Sequence, residues 1–274
     1  MTRAALLQMT SGIDPAANAA TLVAAVAQAR ADGVAMLFTP EMSGLLDGNR
    51  ERAQGHYAQE ADDLVLAAVR EAAAKHGTWV HLGSLAVLRE DGKLANRAFV
   101  IDDTGSIRAR YDKMHLFDVD LPTGESWRES NSYTAGTEPV VVETPLGKLG
   151  LAICYDLRFP DLFRTLSNAG ATILAVPAAF TRPTGAAHWH VLLRARAIEA
   201  AAFVLAAAQT GTHADGRATY GHSLAIDPWG DVLLDMGEAA DLGFAEIDAG
   251  RLEDVRSRVP VLRHRRAIPE AAQA

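Results

Sequence analysis

The run Val34-Ala-Met-Leu-Phe38 contains no polar residue, and an extended segment of that kind is stable only when both faces of its sheet are covered. Ahead of it, Asp14-Pro15 offers an N-cap followed by proline at the first helical position. The Ala-rich helix so opened is expected to run to about Ala31, with Gly33 beyond it. A second helix is expected over about Ala61–His76, stopping at Gly77. Ala4–Met9 reads as a first strand. Thr78–Leu88, Leu94–Ile101 and Ser106–Tyr111 read as three more, parted by the turn signals Asp91-Gly92 and Asp102-Asp-Thr-Gly105.

The alternation then returns. Val140–Glu143 and Lys148–Ile153 flank the hairpin turn Thr144-Pro-Leu-Gly147. A helix over about Phe159–Asn168, strand Ala171–Val176, helix His188–Ala201 and strand Phe203–Ala207 follow. His222–Ile226, Val232–Leu234 and Leu242–Ile247 complete the strands, with Pro228-Trp-Gly230 as a turn. Two such blocks predict an α/β fold of two mixed sheets, packed face to face with helices outside. No linker divides the 274 residues, so one domain is expected over residues 1–258, followed by a basic, proline-punctuated tail over 259–274.

Charge and cysteine usage narrow the function classes. A formal charge of −8 argues against nucleic acid or an anionic membrane as partner. There is one cysteine, so no intramolecular disulfide framework exists. The N-terminus lacks the apolar stretch and small-residue cleavage site of a signal peptide, and runs such as Ala200–Ala208 are too short to span a bilayer. Together these lead to the expectation of a soluble, cytoplasmic protein.

Three residues could carry chemistry, and each follows the C-terminal end of a strand, where ligand sites of layered α/β folds gather. Cys154 stands where the apolar run Leu149–Ile153 breaks into a polar turn. Amide N–H groups and a helix N-terminus there would favour thiolate, and the Tyr155 N–H could stabilise an oxyanion. A buried structural cysteine is the alternative. Glu41, after Val34–Pro40, can serve as general base if burial raises its pKa toward neutrality; otherwise it is an ordinary loop acid. Lys113, after the strand ending at Tyr111, can hold an oxyanion and depress a thiol pKa, the alternative being a solvated surface lysine.

Other motifs carry less. His188-Trp-His190 has a spacing that turns the two imidazoles apart on a helix, so metal binding is not expected there, and a packing or hydrogen-bonding role is. A Cys–His dyad using His115 or His222 is unnecessary if Glu41 and Lys113 converge on Cys154. Gly221-His-Ser-Leu-Ala225 lacks the second glycine of a serine nucleophile elbow. Arg158 can pair bidentately with a substrate carboxylate or else with Asp156 or Asp161. Arg194 and Arg196 read as structural ion-pair partners, and Trp229 as a packing anchor.

Phe38-Thr-Pro-Glu41, Tyr111-Asp-Lys-Met-His-Leu-Phe117 and Cys154-Tyr-Asp-Leu-Arg-Phe-Pro160 resemble the three catalytic signatures of the nitrilase superfamily of carbon–nitrogen hydrolases. Glu129-Ser-Asn-Ser132, Ala187-His-Trp189, Leu193–Glu199, Tyr220-Gly-His-Ser223, Asp227-Pro-Trp-Gly230 and Val259–Arg266 resemble its amidase branch. The resemblance spans essentially the whole chain. It implies an αββα sandwich that pairs into an eight-layer dimer or a higher homo-oligomer, with Cys154 as nucleophile, Glu41 as general base, Lys113 as stabiliser of the tetrahedral intermediate and Glu129 as a supporting carboxylate. It implies no metal or organic cofactor. The implied substrate is a small amide carrying carboxylates, such as that of deaminated glutathione, which would yield 2-oxoglutarate and cysteinylglycine. An omega-amidase acting on 2-oxoglutaramate, a non-catalytic partner-binding protein of the same fold, and a redox-sensing thiol are the alternatives. Specificity is expected in loops near Ser43–Tyr57, Asp118–Tyr133 and Thr181–Ala187, with Arg158 and Thr181 as candidate substrate contacts.

Overall fold

Asp14 turns the chain from the first strand into the first helix: its carboxylate accepts the Ala16 N–H at 2.9 Å, with Pro15 at the first helical position. In the computed structural model, which describes residues 1–120, 124 and 126–272, β1 (Thr2–Gln8) leads through α1 (Pro15–Ala31) to β2 (Met36–Phe38). A short α2 (Arg50–Gln54) and α3 (Leu64–His76) precede β3 (Trp79–Leu88), β4 (Leu94–Ile101) and β5 (Ile107–Asp112). A two-stranded ribbon, β6 (Asp118–Asp120) and β7 (Ser126–Arg128), comes before β8 (Val141–Thr144) and β9 (Gly147–Leu151). Next come α4 (Pro160–Asn168), β10 (Ile173–Ala175), α5 (Arg182–Ala200) and β11 (Phe203–Ala206). A second ribbon, β12 (Thr210–Thr212) and β13 (Ala218–Tyr220), is followed by β14 (Leu224–Ile226), β15 (Val232–Asp235), β16 (Asp241–Ile247) and α6 (Ala249–Arg258).

The strands form two six-stranded mixed sheets, ordered β16-β1-β2-β3-β4-β5 and β15-β14-β11-β10-β9-β8. Each has three parallel strands flanked by one antiparallel neighbour on one side and two on the other. The outer position that β8 fills in the second sheet, one hairpin before β9, is filled in the first by β16 from the far end of the chain. The two halves are therefore the same design with one strand moved.

Strand pleat explains the layers. Ala4 and Leu6 of β1 join a core with residues of the second sheet, while Ala5 and Leu7 join one with Leu22 and Val26 of α1 and Val65 and Val69 of α3. Leu162 and Phe163 of α4 and Trp189 and Leu193 of α5 belong to the core of the second sheet. The result is the αββα sandwich expected from the sequence. No helix among the described residues is long and apolar enough to cross a membrane.

Several expectations need correcting. The second helix does not begin at Ala61: residues Glu60–Asp62 form a separate 3-10 turn, and Asp63 caps α3 by accepting the Leu66 N–H at 2.8 Å. The helix expected from His188 starts at Arg182, because Pro183 sits in its first turn, where a missing N–H costs nothing. Trp229 anchors nothing; it is 52% exposed on its turn. The two ribbons, α2 and α6 went unread. Part of the expected specificity loop, residues 121–123 and 125, and residues 273–274 of the tail lie outside the described residues.

Gly83 marks where the first sheet is built around the site. The β3–β4 register shifts between Leu82 and Leu85, and a Cβ on Gly83 would overlap the Thr39 carbonyl oxygen and stand 2.5 Å from that of Pro40 and 2.6 Å from Cβ of Pro177. Two backbone segments of the site therefore meet over a residue with no side chain. Gly83→Ala is expected to lower unfolding stability in urea titration by at least about 2 kcal/mol, since backbone cannot move aside as a flexible side chain does.

Candidate active site

Glu41, Lys113, Glu129 and Cys154 come from four separate segments and line one cavity of about 380 Å³. Glu41 follows β2, Lys113 follows β5, Glu129 opens a 3-10 turn after β7, and Cys154 opens another after β9. The Lys113 ammonium donates to Glu41 Oε1 at 2.9 Å and to Glu129 Oε2 at 2.9 Å. All three side chains are nearly closed to solvent. Asn96 of β4 was not singled out from the sequence, yet its Nδ2 donates to Glu41 Oε1 at 2.9 Å and Glu129 Oε1 at 3.0 Å. The signal was available: a polar residue interrupting the otherwise inward-facing apolar face of Leu94–Ile101.

The Glu41 loop is fixed by buried polar groups. The Ala179 N–H donates to Glu41 Oε2 at 3.0 Å, and Gln209 Nε2 donates to the Glu41 carbonyl at 2.9 Å. The Ser43 hydroxyl donates to the Pro40 carbonyl at 2.6 Å, and the Gly83 N–H to the Thr39 hydroxyl at 3.0 Å. Met42 and Cys154 both adopt left-handed backbone, with φ of 55° and 49°. Strain of this kind persists only where the surroundings over-determine the chain.

Protonation differs from the expectation. Burial pulls Glu41 toward its neutral form, but the Lys113 ammonium and the hydrogen bonds from Cys154 and Asn96 outweigh it, so the carboxyl sits below its ordinary value. Burial and the Glu41 charge push the Cys154 thiol well up, and Lys113 offsets only part of this. Burial would also neutralise Lys113, yet Glu129 and Glu41 together hold its pKa well above normal. The resting site is therefore carboxylate, ammonium and neutral thiol. With two carboxylates facing one ammonium, a thiolate would add uncompensated negative charge.

The nucleophile turn is tied to the lysine loop by Asp156, which is fully buried. Its Oδ2 accepts the Tyr111 hydroxyl at 2.7 Å and the Ile153 N–H at 2.9 Å, and its Oδ1 accepts the His115 N–H at 3.0 Å. His115 Nδ1 is 2.7 Å from the same Oδ1, so this imidazole is committed to Asp156. The Tyr155 N–H lies at the start of the 3-10 turn, where amides have no partner within the helix.

Arg158 does not pair with Asp156 or Asp161. It lines the cavity, lies over the rings of Tyr155 and Phe180, and approaches His188 Nδ1 at 3.3 Å. Asp156 cannot serve it, because that carboxylate is filled from the Lys113 side. Thr181 also lines the cavity, with its hydroxyl 2.9 Å from that of Thr184. Arg196 pairs with Glu199 at 2.8 Å, whereas Arg194 donates to the Gly230 carbonyl and forms no ion pair among the described residues. His190 turns away from His188; it and His222 each bond to Asp235, at 3.0 and 2.8 Å.

A family model described as carbon-nitrogen hydrolase matches residues 3–257. The chain is 40% identical over 267 residues to the deaminated glutathione amidase of Yersinia enterocolitica, covering 96% of this chain and 93% of that one. The crystal structure of the C. elegans NitFhit protein superposes with a TM-score of 0.90 at 40% identity, over 97% of this chain and 65% of that one. A mutant of the amidase from Nesterenkonia sp. AN1, bearing acrylamide joined to its active-site cysteine by Michael addition, gives 0.80 at 26% identity over 95% and 98% of the chains.

Two outcomes follow from this geometry. Asp156→Asn turns an amide NH2 either toward the Tyr111 hydroxyl and Ile153 N–H or toward the His115 N–H, donor against donor; unfolding stability should fall by about 2–4 kcal/mol, and a crystal structure should show the Cys154 turn displaced from Lys113. Because Glu41 is lowered on folding, its contribution to stability is fully present above its ordinary value of 4.5 and is lost as pH falls through the lower folded value. Urea unfolding between pH 6 and pH 3 should lose that part of its pH dependence in Glu41→Gln.

Proposed function

The chain belongs to the carbon–nitrogen hydrolase family, and on that premise we propose that it hydrolyses the amide of deaminated glutathione, releasing 2-oxoglutarate and cysteinylglycine. It is an amidase, cleaving a C–N bond other than a peptide bond. The observation that carries the finer reading is the joining of two sets of groups in one cavity: a thiol with a carboxylate and an ammonium, and arginines on the wall. The first set suits acyl transfer through a thioester, and the second suits an acidic substrate. The name of the Yersinia enterocolitica relative points the same way.

In the mechanism we assign, Cys154 Sγ attacks the amide carbon while Glu41 takes the thiol proton. Because the resting thiol is neutral, proton transfer accompanies attack and a standing thiolate is not needed. Oxygen charge develops beside Lys113 and the Tyr155 N–H. The ammonium gives two of its three N–H groups to Glu41 and Glu129, which leaves the third for the oxyanion. Protonated Glu41 then delivers its proton to the departing amine. Water, deprotonated by the same carboxylate and positioned with help from Glu129, attacks the thioester carbon, and Glu41 returns the proton to the departing Cys154 sulfur, restoring thiol and carboxylate. Arg158, one 3-10 turn from the nucleophile, and Thr181 are assigned to substrate binding.

The enzyme is further read as cytoplasmic and as a homodimer or larger. Exposed Val191 and Ile198 of α5, together with Trp229 and Val232, supply apolar surface for subunit contact.

Steady-state assay of the purified protein should show kcat/KM for deaminated glutathione well above that for 2-oxoglutaramate; the reverse order makes it an omega-amidase. Cys154→Ala should abolish turnover. Lys113→Ala should lose roughly 100- to 1000-fold in kcat, a loss of oxyanion stabilisation that leaves KM little changed. Acylation of Cys154 should be visible by mass spectrometry after rapid quench, and its absence would leave the non-catalytic alternative standing.

A further inference from the structure

The cavity's acids are already answered. Glu41 and Glu129 face Lys113, and Asp47 pairs with Arg52 at 2.6 Å. Four arginines also line it: Arg50, Arg128, Arg158 and Arg217. Arg128 is committed to Asp120 at 2.8 Å and to the carbonyls of Val119 and Trp127. Arg50 is exposed in the first turn of α2. Three wall charges are thus left to meet a ligand, and two of them are oriented by aromatic rings: Arg158, beside the nucleophile, and Arg217, on the β12–β13 hairpin.

Arg217 is held in place by an aromatic ring and by an ion pair with Asp215 through one Nη at 3.4 Å, which leaves the rest of its fork without an acceptor among the described residues. Its guanidinium carbon lies 4.6 Å from the centroid of the Trp127 ring, which orients the planar group from the opposite strand ribbon. Its side chain makes no hydrogen bond among the described residues, and its Nε and the Trp127 Nε1 are both shielded from water without a partner. The ion pair with Asp215 has no hydrogen bond of its own. Asp215 is instead occupied with backbone: Oδ2 accepts the Gly48 N–H at 2.8 Å and Oδ1 the Arg217 N–H at 2.9 Å. These bonds fasten the hairpin to the loop before α2, so the rim that carries Arg217 is braced on two sides. A forked cation, oriented by stacking and short of acceptors, matches a carboxylate in bidentate geometry.

We propose that Arg217, seated on Trp127, is the subsite for a carboxylate on the leaving-amine side of the substrate. The inference rests on the amidase reading above and extends it. Arg158, on the nucleophile's own turn, takes the carboxylate of the acyl half, and Arg217, on the rim, takes the one at the far end of the departing amine. The enzyme thus selects amides acidic at both ends. In deaminated glutathione the second carboxylate is that of glycine, whereas 2-oxoglutaramate has nothing to offer Arg217.

A cycle between one side chain and one carboxylate tests this. Dissociation constants for deaminated glutathione and for its analogue ending in glycinamide are measured by calorimetry in Cys154→Ala, alone and combined with Arg217→Gln. Loss of the carboxylate should weaken binding about 10- to 100-fold with Arg217 present and less than about twofold in Arg217→Gln. Arg217→Lys, which keeps charge without the fork, should restore part of the difference. Equal losses in both backgrounds, as a merely structural role would give, overturn the subsite. Turnover by the unsubstituted enzyme reports separately: coupling without hydrolysis of either amide upholds the subsite and removes the deaminated glutathione reading.

Discussion

The ammonium of Lys113, closed off from water between Glu41 and Glu129, is the contact on which the site's chemistry depends. Desolvating an ion costs several kcal/mol, and mutual attraction recovers this only when geometry is close and the remaining donors are filled. Here distances of 2.9 Å on both sides, with Asn96 bonded to both carboxylates, meet that condition. The same arrangement sets the proton inventory. Burial and the Glu41 charge outweigh Lys113 at the sulfur, so the thiol keeps its proton until substrate carbon is there to receive the electron pair. Lys113 is also the largest of the influences that keep Glu41 ionised against burial.

Holding four charged or reactive groups on four chain segments is a problem of scaffolding, and the paired sheets answer it. β2, the middle parallel strand of the first sheet, delivers Glu41, and β9, an outer parallel strand of the second, delivers Cys154, while β5 delivers Lys113 at the same end as β2. Asp156 then fixes the distance between halves, binding Ile153 on the nucleophile side and Tyr111 and His115 on the lysine side. Gly83 lets the Thr39–Pro40 backbone come close to Pro177. The left-handed conformations at Met42 and Cys154 fit this view: both are imposed by neighbours that leave the chain no alternative.

How much of this the sequence announces depends on the range of the interaction. Asp14-Pro15, Gly33 and Gly77 act within one turn of chain, and α1 and the end of α3 fall where they indicate. The central strands are legible because burial on both faces leaves unbroken apolar runs. Glu41, Lys113 and Cys154 stand out by position after strand ends, and the motif resemblance adds their company. Their protonation does not stand out. Burial alone argues for a raised Glu41; the Lys113 ammonium at 2.9 Å, with hydrogen bonds from Cys154 and Asn96, reverses the sign. Arg158 shows the same limit: Asp156 is its neighbour in sequence but is spoken for by residues more than forty positions away.

The two unread ribbons share a physical character. β6, β7, β12 and β13 are three residues each, too short to show a period, and they are held by contacts with one another and with loops. Yet these ribbons carry Trp127 and Arg217 to the cavity rim. Glu41, Lys113 and Cys154, by contrast, follow strands of the two main sheets, whose core packing fixes them. The second ribbon is fastened to the loop before α2 by the bond from Gly48 to Asp215. Substituting a ribbon residue exchanges one wall group while leaving the Glu41–Lys113–Glu129 contact untouched, so a fold of this kind can change which acid amide it admits without rebuilding the groups that cleave it.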